Sequence, residues 1–406
     1  MIIVRTPLRV SFFGGGTDHP AWFNNFGPGA VLSTSIDRYV YITIRRLPDI
    51  FDFKYRVVWR MVEQCSSIDE ITHPVVREVL RAYCDDPDAS YEIVYHADLP
   101  ARSGLGSSSA FTVAALHALM HAQRRRVNKY ALAAAAIHVE QVLLREPVGS
   151  QDPVAAAFGG LNEITFGAGG GVHVDPIDIL PRRKQALNNH LMMFFTGFTR
   201  DAGAVEADKV ANFARRIPEM TAIHGMVAEG RAILENPFRP IEDFGGLLDE
   251  AWRRKRRLAA SVSNPSIDAL YDAALEGGAL GGKLLGAGGG GFLLFFVPPE
   301  RQDGVREAVR RCSPQNTRPP AFVSVKAEDV GSAVVLSGSE PVLESFGPSW
   351  EDRPFPDSFR SDRLQGLALG AEALSFSPVE GTRLERFSEV ESPEIAAAAP
   401  LRAQAG

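Results

Sequence analysis

The sequence predicts an α+β protein of two domains followed by a tail of low order. Three observations carry this. Strand-like and helix-like periodicities alternate over the first two-thirds of the 406 residues. A stretch with two prolines, DPIDILPRRKQALNN from Asp175, interrupts the alternation. After about Gly338 the chain turns to Ser, Pro and acid with little periodicity, a composition that does not bury a core. The expected boundaries are 1–182, 183–337 and 338–406.

Taken in order, Leu8 to Phe13, YVYITI at Tyr39 to Ile44 and YEIVYH at Tyr91 to His96 alternate β-branched or aromatic residues and read as strands. A helix is predicted from about Ser108 to Arg124. A second runs from Asn128, a good N-cap, to Glu146, where Pro147 stops it. LMMFFTGF, from Leu191, reads as a buried strand opening the second domain. Helical periodicity follows from about Asp201 to Val262, broken at Pro218 and near Pro237. FLLFFV at Phe292 to Val297 reads as another buried strand, and FVSVKA from Phe322 as the last one.

A formal net charge of -6 gives no broad attraction to nucleic acid or anionic lipid. Cys65, Cys84 and Cys312 lie far apart without a CxxC pair, against a disulfide framework or a structural zinc site. Arg5, Pro7 and Arg9 interrupt the apolar N-terminus, so it does not read as a signal peptide. No apolar run reaches the ~20 residues of a membrane span. A cytoplasmic protein acting on a small molecule is expected, without nucleic-acid or membrane partners and with a homo-oligomer left open.

The chemistry concentrates in three glycine-rich stretches. PARSGLGSSSAF, from Pro100, stands just before a predicted helix. A helix N-terminus has unpaired N–H groups and partial positive charge, and Gly104 and Gly106 let the backbone curl around an anion. Ser107, Ser108 and Ser109 add hydroxyls. The stretch lacks the GKS or GKT of a P-loop, so it is a different phosphate cradle, or else a Gly/Ser loop with a serine N-cap. RVSFFGGGTDHP places Gly14 to Gly16 before Thr17 and Asp18, either a sugar-binding loop or the N-cap of a short helix. GGKLLGAGGGGFLLFF, from Gly281, is dense enough in glycine to require close approach to a ligand or to another loop, with a wide hairpin turn as the alternative.

Two acids stand out. Glu140 has Ala136, Ile137, Leu143 and Leu144 as its helical neighbours, so it belongs to an apolar face and needs a partner, a metal ion or Arg145. Asp152, before Pro153, reads as a helix N-cap, a general base, or both. His117 and His121 are spaced i, i+4 with no third ligand suggested. WRRKRRL near Arg253 reads as a solvated helix face.

Together, RTPLRVSFFGGGTD, LPARSGLGSSSAF and GGKLLGAGGGGF occur in the order found in the GHMP kinase superfamily, which residues 1 to 336 resemble. The GGGTD form and the segment ALGGKLLGAGGGGFLLFFVP are similar to its sugar-1-kinase branch. The resemblance implies a two-domain GHMP kinase fold: an N-terminal domain like domain 2 of ribosomal protein S5 and a ferredoxin-like C-terminal domain, with ATP between them. It implies transfer of the γ-phosphate to the anomeric hydroxyl of a sugar. D-glycero-α-D-manno-heptose 7-phosphate is the first expectation, giving the 1,7-bisphosphate for nucleotide-heptose synthesis. Fucose or a related hexose is the alternative, and a non-catalytic nucleotide- or sugar-binding regulator a remote one.

By motif, the resemblance assigns the triphosphate to Pro100, Ser103, Gly104, Leu105, Gly106, Ser107, Ser108 and Ser109. It assigns Mg²⁺ to Ser108 and Glu140. Catalysis falls to Asp152 and Arg9, and the sugar to Gly15, Gly16, Thr17, Asp18, Lys283, Gly288 and Gly289. Arg45, Arg46 and Lys283 are candidates for a remote phosphate on the sugar.

Overall fold

The computed structural model describes residues 1–197, 202–313 and 321–338. From the N-terminus come β1 (Ile2–Phe13), the short α1 (Pro20–Phe23), β2 (Gly29–Arg46), β3 (Tyr55–Val58), β4 (Val62–Cys65), α2 (Pro74–Tyr83), β5 (Tyr91–Ala97), α3 (Ser107–Ala122), α4 (Lys129–Ile137), α5 (Gln151–Phe158), β6 (Leu161–Phe166) and β7 (Val172–Pro176). The chain continues through α6 (Pro181–His190), β8 (Leu191–Phe195), α7 (Ala202–Asn212), α8 (Ile217–Glu235), α9 (Glu242–Arg256), α10 (Pro265–Glu276), β9 (Gly281–Leu284), β10 (Phe292–Phe296), α11 (Gln302–Cys312), β11 (Ala321–Val323), β12 (Ala327–Glu328) and β13 (Ala333–Ser337).

A nine-stranded sheet is organised on β2, which pairs with β1 along one edge. Its other edge is shared: residues 29–34 pair with β6 and residues 40–46 with β5. The burial of β2 follows this division. Its first half is covered throughout, while in its second half Val40, Ile42 and Ile44 alternate inward, as a half-buried strand does. Helix α3, rich in alanine, packs closely on β1 and β2.

The second sheet has the order β11-β8-β10-β9. FLLFF in β10 is buried on both faces, which explains its unbroken apolar run. Phe292, Leu294 and Phe296 join the core under the first sheet, whereas Leu293 and Phe295 join a second core with Trp252, Leu270 and Tyr271. The second sheet is thus a wall between two cores, and one of those cores is common to both halves of the chain.

The strand pairing crosses one expected boundary, and two expectations are corrected. The unit expected over 183–337 does not pair as one block, because β12 returns to β2 and β13 returns to β1. FVSVKA runs from within β11 to the first residue of β12, and β13 follows it, so it is not the last strand. The helix predicted to end at Glu146 is regular only to Ile137, and it widens into a π-turn over His138–Leu143 that carries Glu140. The tail expected at 338–406 lies outside the described residues apart from Gly338.

Candidate active site

The three glycine-rich stretches converge on one cavity of about 380 Å³. Gly104 and Gly106 take positive φ, 83° and 71°. Gly106 caps α3 without a side chain, so the first-turn N–H groups are open to a ligand. Two of the glycines from 281 onward, Gly286 and Gly291, are used against this loop. A Cβ at Gly286 would stand 2.5 Å from the Gly104 Cα, and one at Gly291 2.4 Å from the Ser103 carbonyl oxygen. The Phe292 amide donates to that same oxygen at 3.1 Å.

Arg9, on β1, reaches across the cavity floor. Its Nε and Nη2 donate to the two oxygens of Asp152, each at 2.7 Å, and its Nη1 donates to the Gly104 carbonyl at 2.7 Å. One guanidinium therefore ties the acid to the phosphate-type loop. Asp152 sits in the first turn of α5. Ser150 is the N-cap residue, which corrects the N-cap reading of Asp152.

Asp18 is buried. Its Oδ1 accepts from the Gly16 amide at 2.8 Å and its Oδ2 from the Gln151 amide at 3.3 Å. Burial, with the Glu206 carboxylate next, pushes its carboxyl up to about 6. It does not cap α1; the His19 ring does, accepting from the Ala21 amide. Glu140 is 2% exposed. Its Oε2 accepts from the Ser109 hydroxyl at 3.0 Å, and its Oε1 is buried without a partner. Burial pushes this carboxyl up to about 8. The partner is Ser109 rather than Arg145.

Of the expected residues, the cavity is lined by Arg9, Gly15, Gly16, Asp18, Gly104, Gly106, Ser107, Ser108, Ser109, Glu140, Asp152 and Lys283. Pro100, Ser103, Leu105, Thr17, Gly288 and Gly289 lie outside that lining. Pro100 is exposed, and Ser103 and Leu105 are fully buried beneath the loop. Thr17 holds its own loop together through the carbonyls of Gly14 and Ala30. Gly288 and Gly289 pack on Val262. Arg45 and Arg46 are also absent from the lining; they pair at the surface with Glu92 and Asp86.

Sequence reasoning missed several lining residues. Trp59, His73, Tyr95 and Phe111 form an aromatic wall, with His73 stacked on Phe111 at 4.6 Å and edge-on to Trp59 at 4.8 Å. The buried Ser11 Oγ and Gln151 Oε1 also border the cavity, and neither has a partner. Lys255 lies inside WRRKRRL yet is buried, which corrects the reading of that run as wholly solvated. Its phase was the missed signal: Lys255 follows Leu248, Ala251 and Trp252 at seven, four and three residues, all buried. His117 and His121 bond to Ser332 and Ser337, joining α3 to the end of the described chain.

Residues 71–160 match the family described as GHMP kinases N terminal domain, and residues 232–315 match GHMP kinases C terminal. The chain is 30% identical over 321 residues to the D-glycero-alpha-D-manno-heptose 7-phosphate kinase of Campylobacter jejuni, covering 76% of this chain and 93% of that protein. It is 25% identical to the L-fucokinase/L-fucose-1-P guanylyltransferase of Bacteroides fragilis, over 82% of this chain but only 38% of that one. In fold it resembles a solved D-glycero-D-manno-heptose 1-phosphate kinase from Bacteroides thetaiotaomicron, with a TM-score of 0.68 and 23% identity over 84% of this chain and 100% of that one. With both family segments present in order, and a relative of 30% identity matched over nearly its whole length, the chain belongs to the GHMP kinases and is an ATP-dependent phosphotransferase with an alcohol group as acceptor.

Proposed function

We propose that this kinase acts on a sugar, transferring the γ-phosphate of ATP to the anomeric hydroxyl of D-glycero-α-D-manno-heptose 7-phosphate. The observation that carries the reading is the single guanidinium of Arg9 joining Asp152 to Gly104. It puts a proton acceptor for the sugar beside the loop suited to the triphosphate. The likeness to the Campylobacter jejuni heptose 7-phosphate kinase supports the choice of sugar.

The roles follow from position. The N-terminus of α3, with Gly104, Gly106 and Ser107 to Ser109, receives the phosphates. The aromatic wall of Trp59, His73 and Phe111 offers a stacking face for the base. Asp18, Ser11 and Gln151 face the sugar hydroxyls. Asp152 orients the anomeric hydroxyl and takes its proton, and Arg9 meets the charge that grows on the moving phosphoryl group. Phosphoryl transfer needs little more than this alignment and charge stabilisation.

The donors also suit a divalent cation. Glu140 has one buried oxygen with no partner, an arrangement that is unfavourable for a carboxylate left to itself. Glu140 and Ser108 are assigned to Mg²⁺, which neutralises charge on the nucleotide phosphates when bound.

The test is ADP release from Mg-ATP with heptose 7-phosphates, unphosphorylated hexoses and fucose as acceptors. Fastest turnover on the heptose 7-phosphate supports the assignment. The relative from Bacteroides fragilis supports fucose as the second reading, and preference for an unphosphorylated sugar would establish it over the first.

A further inference from the structure

Lys209 on α7, Lys255 on α9 and Lys283 on β9 converge on the cavity from three separate elements. All three are buried, at 4%, 8% and 6% exposure. Lys255 feels the charges of Lys283, Lys209 and Arg9 against that of Glu206, and Lys283 those of Arg9 and Lys209 against that of Asp18.

Their present partners do not balance them. Lys209 pairs with Glu206 at 2.7 Å. Lys255 donates to the carbonyls of Leu284 and Gly286, and Lys283 to the carbonyl of Phe12 alone. Among the described residues, no carboxylate lies within ion-pair distance of Lys255 or Lys283. An ammonium group has three donors, so both retain donors unused. Native proteins seldom bury lysine without a countercharge. Burial and the neighbouring cations bring Lys283 down to about 7 and push Lys255 well below its usual range, the response expected where an anion is missing.

We propose that Lys209, Lys255 and Lys283 form a subsite for a phosphoryl group already carried by the acceptor. Three amines, with Glu206 paired to one of them and Asp18 near another, can take up protons when a phosphate monoester of about -1.5 to -2 charge enters. Position favours the acceptor over the nucleotide. The triphosphate wall is the start of α3, in the first sheet's layer, whereas these cations come from elements of the second half. Lys283 bonds to Phe12, just before the glycines that lead to Asp18, on the sugar side. The inference rests on the heptose 7-phosphate reading and adds the three residues that hold the phosphate the sugar already carries.

The experiment compares heptose 7-phosphate with the dephosphorylated heptose as acceptors for wild type, Lys283→Met and Lys209→Gln. Methionine keeps the apolar stem and removes the buried charge, and Lys209→Gln tests the same subsite from another element. The expected result is a KM for heptose 7-phosphate raised about tenfold or more in either variant, with the KM for ATP within about twofold of wild type. Wild-type preference for the phosphorylated acceptor should shrink by the same factor. A rise in KM for ATP with no change for the sugar overturns the subsite. So does wild-type turnover that ignores the acceptor's phosphate while still using the sugar. No sugar-dependent ADP release with any acceptor would instead remove the function on which the inference rests.

Discussion

Arg9 and Asp152 stand 143 residues apart in sequence and share two hydrogen bonds of 2.7 Å each. The paired geometry fixes the carboxylate plane and leaves each oxygen a further lone pair with which to accept a proton or a hydrogen bond. Asp152→Asn keeps the shape and removes the proton acceptor. Turnover is expected to fall about 10²–10⁴-fold, while the KM for ATP stays close to wild type in steady-state kinetics. An Asn variant with full turnover would deny Asp152 the base role.

Glu140→Gln keeps the packing and removes the carboxylate that a bound metal would draw into its charged form. Its expected effect is on the metal: half-maximal activity should need about tenfold more Mg²⁺ or beyond, at least what losing an outer contact of a metal site costs. Thermal unfolding of the ligand-free variant should be no easier than that of wild type, since the amide, unlike the carboxyl, has no charged form to bury as pH rises. A Mg²⁺ titration superimposable on that of wild type would take the ion away from Glu140.

The Asp18 carboxyl is raised from 3.8 to about 6 by burial and by Glu206. An acid whose pKa is higher in the folded than in the unfolded chain contributes stability fully present below the unfolded value. That contribution is lost as pH rises through the folded value. Relative to Asp18→Asn, ligand-free wild type should therefore lose about 3 kcal/mol between pH 3.5 and 7. Urea unfolding of both proteins at the two pH values measures it, and a difference independent of pH would show that Asp18 ionises normally.

Gly104 and Gly286 touch backbone to backbone, and both have positive φ. An alanine at either is expected to cost about 1–3 kcal/mol through strain and clash. Because one contact is shared, once the loops have separated the second alanine should cost less than the first. The double variant should thus be less destabilised than the sum of the singles. Strict additivity in denaturant unfolding would mean that the two loops respond independently.

Trp59 forms the outer part of the aromatic wall, its Nε1 donating to Glu63 at 2.7 Å. Trp59→Ala should raise the KM for ATP about tenfold, in line with the loss of one base–aromatic stack. The KM for the sugar should hardly move. The reverse pattern would place the sugar, not the base, against this wall.

Much of the site could be read from residues because it is local in sequence. Gly104 and Gly106 announce themselves by composition, and Glu140 by apolar neighbours at helical spacing. What was illegible depends on pairing at a distance. Trp59 and His73 belong to separate elements and meet only when α2 and the β3–β4 hairpin come together. Lys255 was hidden by its neighbours: four other basic residues surround it in RRKRR, and charge content outweighed phase in the reading. β12 escaped because two residues, Ala327 and Glu328, show no period; β13, AVVLS, is apolar but largely exposed, and the ladders supplied by β2 and β1 hold the two strands. Gly288 and Gly289 show the opposite failure, in which a motif suggests ligand contact and the backbone instead needs room beside Val262.

The pairing of β13 with β1 bears on the order of synthesis. The first strand to leave the ribosome waits for one of the last described before its outer ladder is complete. Until then, β1 presents free N–H and C=O groups along one side, a template for association with other chains. Premature release before residue 327 would leave that side permanently open. Such fragments should precipitate or engage chaperones even though nearly every group needed for chemistry has already been made.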